Sequence, residues 1–427
     1  MRLPLLPALL LLAACAQRDE ILPGERLSLR DGALANPVPA AQAVALRLPA
    51  PRANADWTHR GGSPARDAGH VALGPAPSLL FSTPIGEGDS RRARITAEPV
   101  VAAGRVFALD ARATVTALTP GGAVLWSREV VPDADARTDA SGGGLASDGA
   151  SVYVSTGYGR LTALDAATGE PRWTQRLEAP GASAPTVLGD LVLVVDRSGA
   201  AWALETATGR IRWTSQGIAV AASYAGGAGA AAEPGLVVVP FPSGEVVGAF
   251  PEGGLERWRA VVAGSRPGSA AAYAATDIGG DPVLADGVAY VGNASGRLAA
   301  LAAATGEVLW SIPEGAASPV VAAGNGLWVI NDRGELLRLD PANGGVVWRV
   351  PLPQPERRRG VTAHMGPVLA GGRLIVASSD GALRQFDPAT GAPLGEIALP
   401  GGAASAPVVA GGTLYVISQD GALLAFR

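Results

Sequence analysis

Few side chains in this chain could do covalent or metal chemistry, and their placing leaves little for them to do. Cys15 is the only cysteine, so neither an intramolecular disulfide nor a cysteine–histidine zinc set can be assembled. His59, His70 and His364 are the only histidines, and none stands at the His-x-x-x-His interval that puts two imidazoles on one helical face. His59 and His70 read as surface or capping residues on the way into the fold. His364, ahead of a strand at Pro367, is the candidate to face a central channel. The Gly-x-Ser-x-Gly turn of a serine nucleophile is absent, and Gly226-Gly227-Ala228-Gly229 lacks the Lys-Ser/Thr that completes a phosphate loop. Asp196, Asp332, Asp380 and Asp420 recur at what reads as one repeat position, the turn between a second and a third strand, where Asp bonds back to its own backbone. A catalytic acid would be singular. The expectation is no catalytic, metal or cofactor site.

That recurrence belongs to a larger one. Residues 183–215, 318–350 and 366–399 share one order of pieces: a Pro-led apolar run, a second apolar run, a third ending in Leu-Asp or its like, and a fourth carrying a large anchor. Each run is short, rich in branched or aromatic residues, and closed by Gly, Asp or Ser, as strands with tight turns should be. The turn before the fourth run reads Ala-Thr-Gly at 167–169, 207–209, 304–306 and 389–391, and Ala-Asn-Gly at 342–344. Its glycine supplies the positive φ of a tight hairpin. The anchors are Phe81, Trp126, Trp173, Trp213, Trp258, Trp310, Trp348 and Leu394, spaced 45, 47, 40, 45, 52, 38 and 46 residues apart. Four strands per unit at a period near 45 predict a propeller, with the tryptophans packing between blades. The last unit, residues 405–426, has three strands, and the strand at residues 79–85 is its missing fourth. The expected fold is all-β: an eight-bladed β-propeller of four-stranded antiparallel blades, closed by an N-terminal strand joining the last blade. Seven blades would follow if residues 217–240 held no proper strand pair.

The other end of the chain reads differently. One positive charge at Arg2 precedes an apolar run, residues 3–12, broken by Pro4 and Pro7. It is shorter than the roughly 20 residues that span a bilayer and has the proportions of a secretory signal. Leu12-Ala13-Ala14-Cys15 resembles the lipobox of bacterial lipoproteins, in which cleavage leaves the cysteine acylated. Two or more acyl chains, at about 0.8 kcal/mol per buried CH₂, make such an anchor stable. Lipidation is therefore expected at Cys15, with residues 1–14 a signal peptide, 15–55 the lipidated cysteine and a flexible tether, and 56–427 the propeller. Ala16, where an inner-membrane retention signal carries Asp, favours the periplasmic face of the outer membrane. A net charge of −4 offers no basic surface to a nucleic acid.

The repeat Leu161-Thr162-Ala163-Leu164-Asp165-Ala166-Ala167-Thr168-Gly169-Glu170-Pro171-Arg172-Trp173 resembles the PQQ-type β-propeller motif. With the lipobox and Trp57-Thr58-His59-Arg60-Gly61-Gly62, similar to a W-x-x-x-G-G opening, residues 56–427 resemble the BamB family of outer-membrane protein assembly factors. That resemblance implies a non-catalytic scaffold within the complex that folds and inserts outer-membrane β-barrels. The scaffold would be a monomeric ring in a hetero-complex, binding periplasmic domains of the barrel protein BamA, with unfolded client chains as a second candidate partner. It also implies a contact surface on two neighbouring inter-blade loops. One family motif, Leu-x-Leu-Arg before Gly-x-Ser-Ala-Pro, is matched here at Leu177, with Ala179 and Pro180 replacing the second Leu and the Arg. The other, Asp-x-Asp before Pro-Val, is matched at Asp277, with Gly279 replacing the second Asp. The residues themselves agree in part: residues 262–280 produce the longest anchor spacing, and Arg266 and Tyr273 are types enriched at interfaces. The bland readings are a tolerated surface insertion and, for Asp277, a turn cap. Two other functions compete. A PQQ-dependent dehydrogenase would use a Ca²⁺ ion, a catalytic Asp and, in many cases, paired cysteines; the cysteines are missing and the loops are mostly short. A propeller binding polysaccharide or cell wall would show exposed aromatics at one mouth, whereas aromatics are 5% of the chain and most tryptophans serve as anchors.

Overall fold

A computed structural model describes residues 45–181, 183–218, 227–264, 278–316, 318–355 and 360–427, all within one compact unit, Val38–Arg427. The runs rich in Val, Leu and Ala form strands, and the Gly- and Asp-bearing segments between them form the turns. Among the described residues the strands group into eight four-stranded antiparallel sheets. Blades 1 to 7 are each contiguous in sequence, at residues 100–129, 143–176, 186–216, 231–261, 283–312, 321–351 and 364–398. Blade 8 takes three strands from residues 408–426 and its fourth, Leu79–Pro84, from the other end of the fold. Pairings of Ser82 with Leu424 and Thr83 with Leu423 join the two. This closure leaves no open end of the array for another chain to extend. Residues 231–240 form the first two strands of blade 4, so the irregular stretch before them does not reduce the count to seven.

Within a blade the first three strands are buried on both faces, because each sheet is sandwiched between its neighbours. Leu191–Val195 is buried at every position, and such a run reads as continuous apolar sequence. The fourth strand lies outermost and exposes every other residue or more.

The anchors fill one recurring site. The indole of each anchoring tryptophan lies against the hairpin glycine of the next blade. An added Cβ on Gly169, Gly209, Gly254, Gly306, Gly344 or Gly391 would collide with Trp126, Trp173, Trp213, Trp258, Trp310 or Trp348 respectively. Each indole N–H also donates to a backbone carbonyl of that neighbour, as Trp173 does to Thr206 O at 2.8 Å and Trp213 to Pro251 O at 2.6 Å. Phe81 makes the equivalent packing on Gly122, carrying the pattern across the seam from blade 8 to blade 1.

Leu394 does not hold the anchor place in blade 7. Gly395 occupies the register that tryptophan holds elsewhere, opposite Gln385, and Leu394 is about half exposed. The reason is geometric. In blade 8 the third and fourth strands come from opposite ends of the fold, and their ladder ends at the Ser78 and Arg427 backbone pair with no connecting turn, so no hairpin glycine exists there to receive an indole.

The proposed aspartate position also shifts. Asp110, Asp196, Asn293 and Asn331 are the residues whose side-chain oxygen accepts backbone N–H groups two and four positions ahead. Asp332, Asp380 and Asp420 stand one or two residues later, where Asp380 instead pairs with Arg384. The recurring requirement is a short side-chain acceptor that closes the turn, and Asp or Asn meets it equally.

Candidate functional site: the two mouths of the ring and its channel

Antiparallel pairing places the turns between first and second strands, and between third and fourth, at one mouth of the ring. The loops joining successive blades lie at the other. The first strands line the axis, and their inner edges present N–H groups with no strand to pair with.

Residues 45–72 supply those partners. The segment starts at blade 6, where Asn325 holds Arg47 N and Ala45 O, and Leu46 and Leu48 pack against that blade's core. These residues, read from sequence as part of a tether, thus lie on the ring. Asn54 O then accepts from Gly411 N in blade 8, and Trp57 exchanges both backbone bonds with Val101 in blade 1. Thr58 O accepts from Ser147 N in blade 2, and the His59 imidazole accepts from Val187 N in blade 3 at 2.9 Å. Pro64 O accepts from Ala232 N in blade 4 and Ala65 O from Leu284 N in blade 5. Finally Val71 N bonds Leu369 O, and the His70 ring accepts from Gly372 N, both in blade 7. One segment touches every blade.

At the centre sits an ion cluster whose Arg66 and Asp281 are fully buried and whose Arg60 and Glu98 reach the edge of the open space beside it. Arg66, 1% exposed, reaches the Asp281 carboxylate at 3.1 Å, Ala230 O at 3.1 Å and Thr186 Oγ1 at 2.6 Å. Arg60 bridges Asp281 at 3.2 Å and Glu98 at 3.6 Å, and Glu98 accepts from Gly61 N. Burial pushes the Glu98 carboxyl above the usual range, with Arg60 working against the shift. His59 is pushed down to about 3 by burial and by the nearby Arg66 guanidinium, so it is neutral with Nε2 as acceptor. His59 and His70 are therefore buried capping groups; neither is a surface residue. His364 does line the channel, with its ring nitrogens bonded to Ser378 Oγ and Pro353 O and its basicity lowered by burial.

Beside this plug, on the inter-blade-loop side, lies a cavity of about 160 Å³. Trp57, Arg60 and Gly69 form its floor, and Glu98, His364 and Ser405 are among its walls. Among the described residues no group of three or more His, Cys, Asp or Glu is placed to hold a metal ion, and no helix is long and apolar enough to cross a membrane.

The residues implied as partner contacts fall unevenly. Leu177 is 3% exposed and packs with Tyr153, Trp202 and Leu204, so its side chain shapes the loop from beneath and cannot be a surface contact. Pro180 is exposed, and its carbonyl accepts from Arg197 N, pinning the loop to the adjacent turn. Arg266, Tyr273, Asp277 and Cys15 lie outside the described residues. The two matched loops are not neighbours: blades 3 and 4 separate the Leu177 loop from residues 262–282, and the loop next to Leu177 is residues 217–230. A two-residue likeness around Asp277 could not register that offset. Arg66, Glu98 and Asp281 escaped sequence reasoning altogether, since they belong to no repeat and only the closed ring brings them together.

Comparison with known proteins agrees with the architecture. The family model described as outer membrane protein assembly factor BamB matches residues 111–350 and 338–427. The outer membrane protein assembly factor BamB of Alteromonas naphthalenivorans is 29% identical over 269 residues, which are 60% of this chain and 64% of that protein, slightly under two thirds of its length. Among solved structures, BamB from Moraxella catarrhalis superposes with a TM-score of 0.68 at 20% identity, over 82% of this chain and all of that one. The quinohemoprotein alcohol dehydrogenase of Comamonas testosteroni superposes almost as well, with a TM-score of 0.67 at 16% identity, over 87% and 80% of the two chains. Shape alone does not separate assembly factor from dehydrogenase, because both superpose on this chain to nearly the same extent; the sequence match over most of the repeats does, and by it this chain belongs to the family of outer membrane protein assembly factor BamB.

Proposed function

We propose that this protein is a non-catalytic scaffold of outer-membrane β-barrel assembly, anchored to the periplasmic face of the outer membrane through a lipid on Cys15. It binds the periplasmic domains of a BamA-like barrel protein. The family match over the repeats is the observation that carries this reading. The fold supports it, since eight mutually packed blades hold the inter-blade loops on a stiff frame, and a pre-ordered surface loses little entropy on association. The contact surface is the inter-blade-loop mouth, with the exposed Pro180 loop as one part and the connection carrying Arg266, Tyr273 and Asp277 as another.

Affinity purification of the native protein from solubilised outer membrane tests the reading. Co-purification of a barrel-assembly protein is the expected result, and quinone-dependent dye reduction with no such partner would overturn it. A charge swap at Arg266 and Asp277, set beside Pro180→Asp, then locates the contact: the loop that matters weakens the complex at least tenfold while thermal unfolding stays unchanged.

A further inference from the structure

We infer that residues 45–72 are a strap that shuts one mouth of the ring, leaving a blind central channel that can be entered only from the inter-blade-loop mouth. This goes beyond the scaffold reading and would hold whatever the partner is. Three observations carry it.

The first is the circuit. Within 28 residues the strap meets blade 6, then blades 8, 1, 2, 3, 4 and 5 in ring order, and returns to blade 7. It does so at the ends of the innermost strands and at the turns that follow them. Gly324 in blade 6 packs so closely on Arg47 O that a Cβ there would overlap it, and Ala103 N in blade 1 donates to Asp56. The covered mouth is the one formed by the turns from first to second strands.

The second is depth. The strap fills the axis as well as covering it. Trp57, His59, Arg66, His70 and Val71 are all buried, and the Arg66 guanidinium is enclosed by carbonyls from blades 3 and 4 and by Asp281 ahead of blade 5. An unpaired guanidinium could not remain in such a place, so the plug and its ring are mutually required.

The third is the side on which space remains. The cavity is walled by residues that precede the first strands or begin them: Glu98 before blade 1, Pro319 before blade 6, His364 at the start of blade 7 and Ala404 before blade 8. These positions belong to the inter-blade-loop mouth, and Ala404 and Met365 there are partly exposed. A volume of about 160 Å³ is that of a cavity which takes one large side chain or a benzene-sized molecule. It does not hold a polypeptide. The ring is therefore no conduit for a client chain, and a group that enters the channel is a single side chain or small molecule arriving from that mouth.

Two measurements on the full chain test this. Amide exchange should show Ser147, Val187, Ala232 and Leu284, four inner-edge amides with no strand partner on that side, protected at least a thousandfold against free peptide. Exchange at free-peptide rates would mean the strap does not close the mouth. In a full chain carrying Cys15→Ser, a thiol introduced by Ala404→Cys should react with a small water-soluble maleimide and resist one bearing a large polymer. No reaction with the small reagent would show that the channel is not open at this mouth, and reaction with both would show that it is no narrow blind pocket. Either would overturn the inference, and neither outcome depends on whether a barrel-assembly partner is found.

Discussion

At the scale of single residues, the buried polar groups on the axis decide how the protein responds to pH and to charge loss. The His59 ring, with a folded pKa near 3 against 6.5 for the free side chain, must stay neutral to accept from Val187 N. Between those values the unfolded chain binds the proton that the folded chain refuses. The stability this group allows is full above about pH 6.5 and is lost as pH falls toward 3. Between pH 7 and pH 5 the loss amounts to about 2 kcal/mol, at 1.36 kcal/mol per pH unit below the unfolded pKa. His59→Gln keeps an acceptor without the titration, so urea midpoints measured across that range should fall less in the variant than in the parent. Equal slopes would remove His59 from the account. Arg66 gives a second case. Arg66→Met removes one of the two cations on the buried Asp281 carboxylate, leaving Arg60, and should cost about 3 kcal/mol, the low end for breaking a buried pair. Adding Asp281→Asn removes the under-compensated charge and should recover part of that loss. A double variant no more stable than Arg66→Met alone would show that the carbonyl contacts of the guanidinium, not the ion pair, dominate.

At the scale of elements, the repeat that was legible in the sequence is the repeat that packs. The tryptophan spacing, the Ala-Thr-Gly turns and the missing fourth strand were all readable, because one local requirement recurs in every blade: an indole, a glycine to receive it and a carbonyl to accept from it. Where the requirement lapses, reading by analogy misplaced Leu394: the missing hairpin of blade 8 was legible, but its consequence for the anchor of blade 7 shows only when the two blades are packed together. The strap was illegible for the complementary reason. Its partners are scattered over eight blades, so neither period nor composition marks residues 45–72, and Asn54, Arg66 and His70 look like ordinary polar residues until the ring closes round them. The hairpin prediction is direct. Gly209 has a φ of +71° and no room for a Cβ beside the Trp173 ring. Gly209→Ala combines backbone strain with overpacking and should destabilise by about 2–4 kcal/mol in chemical denaturation. The same change at Gly189, also at positive φ but with open space around it, should cost only about 1 kcal/mol. If the two variants unfold alike, the indole–glycine contact is not what binds blade to blade.

At the scale of the whole molecule, the ring is held shut at two places that share no residues. One is the seam, where the strand Leu79–Pro84 completes blade 8 and Phe81 packs on Gly122 of blade 1. The other is the strap, which reaches all eight blades. A ring secured twice should not come apart when one closure is weakened. Phe81→Ala removes the ring that packs on Gly122 across the seam and, as a large-to-small change at a partly buried site, should cost about 2–3 kcal/mol, below the 3–5 of a fully buried case. The strap keeps the ends together, so the variant should keep the parent's size in solution, with one unfolding transition at lower denaturant. Deleting Leu79–Pro84 is a different matter, because the outer edge of Ala422–Phe426 is then bare, and an unpaired apolar edge recruits another chain. That variant should form dimers or larger species by light scattering at micromolar concentration while Phe81→Ala does not. If Phe81→Ala oligomerises as readily, the strap adds nothing to closure and the seam alone keeps the blades in a ring.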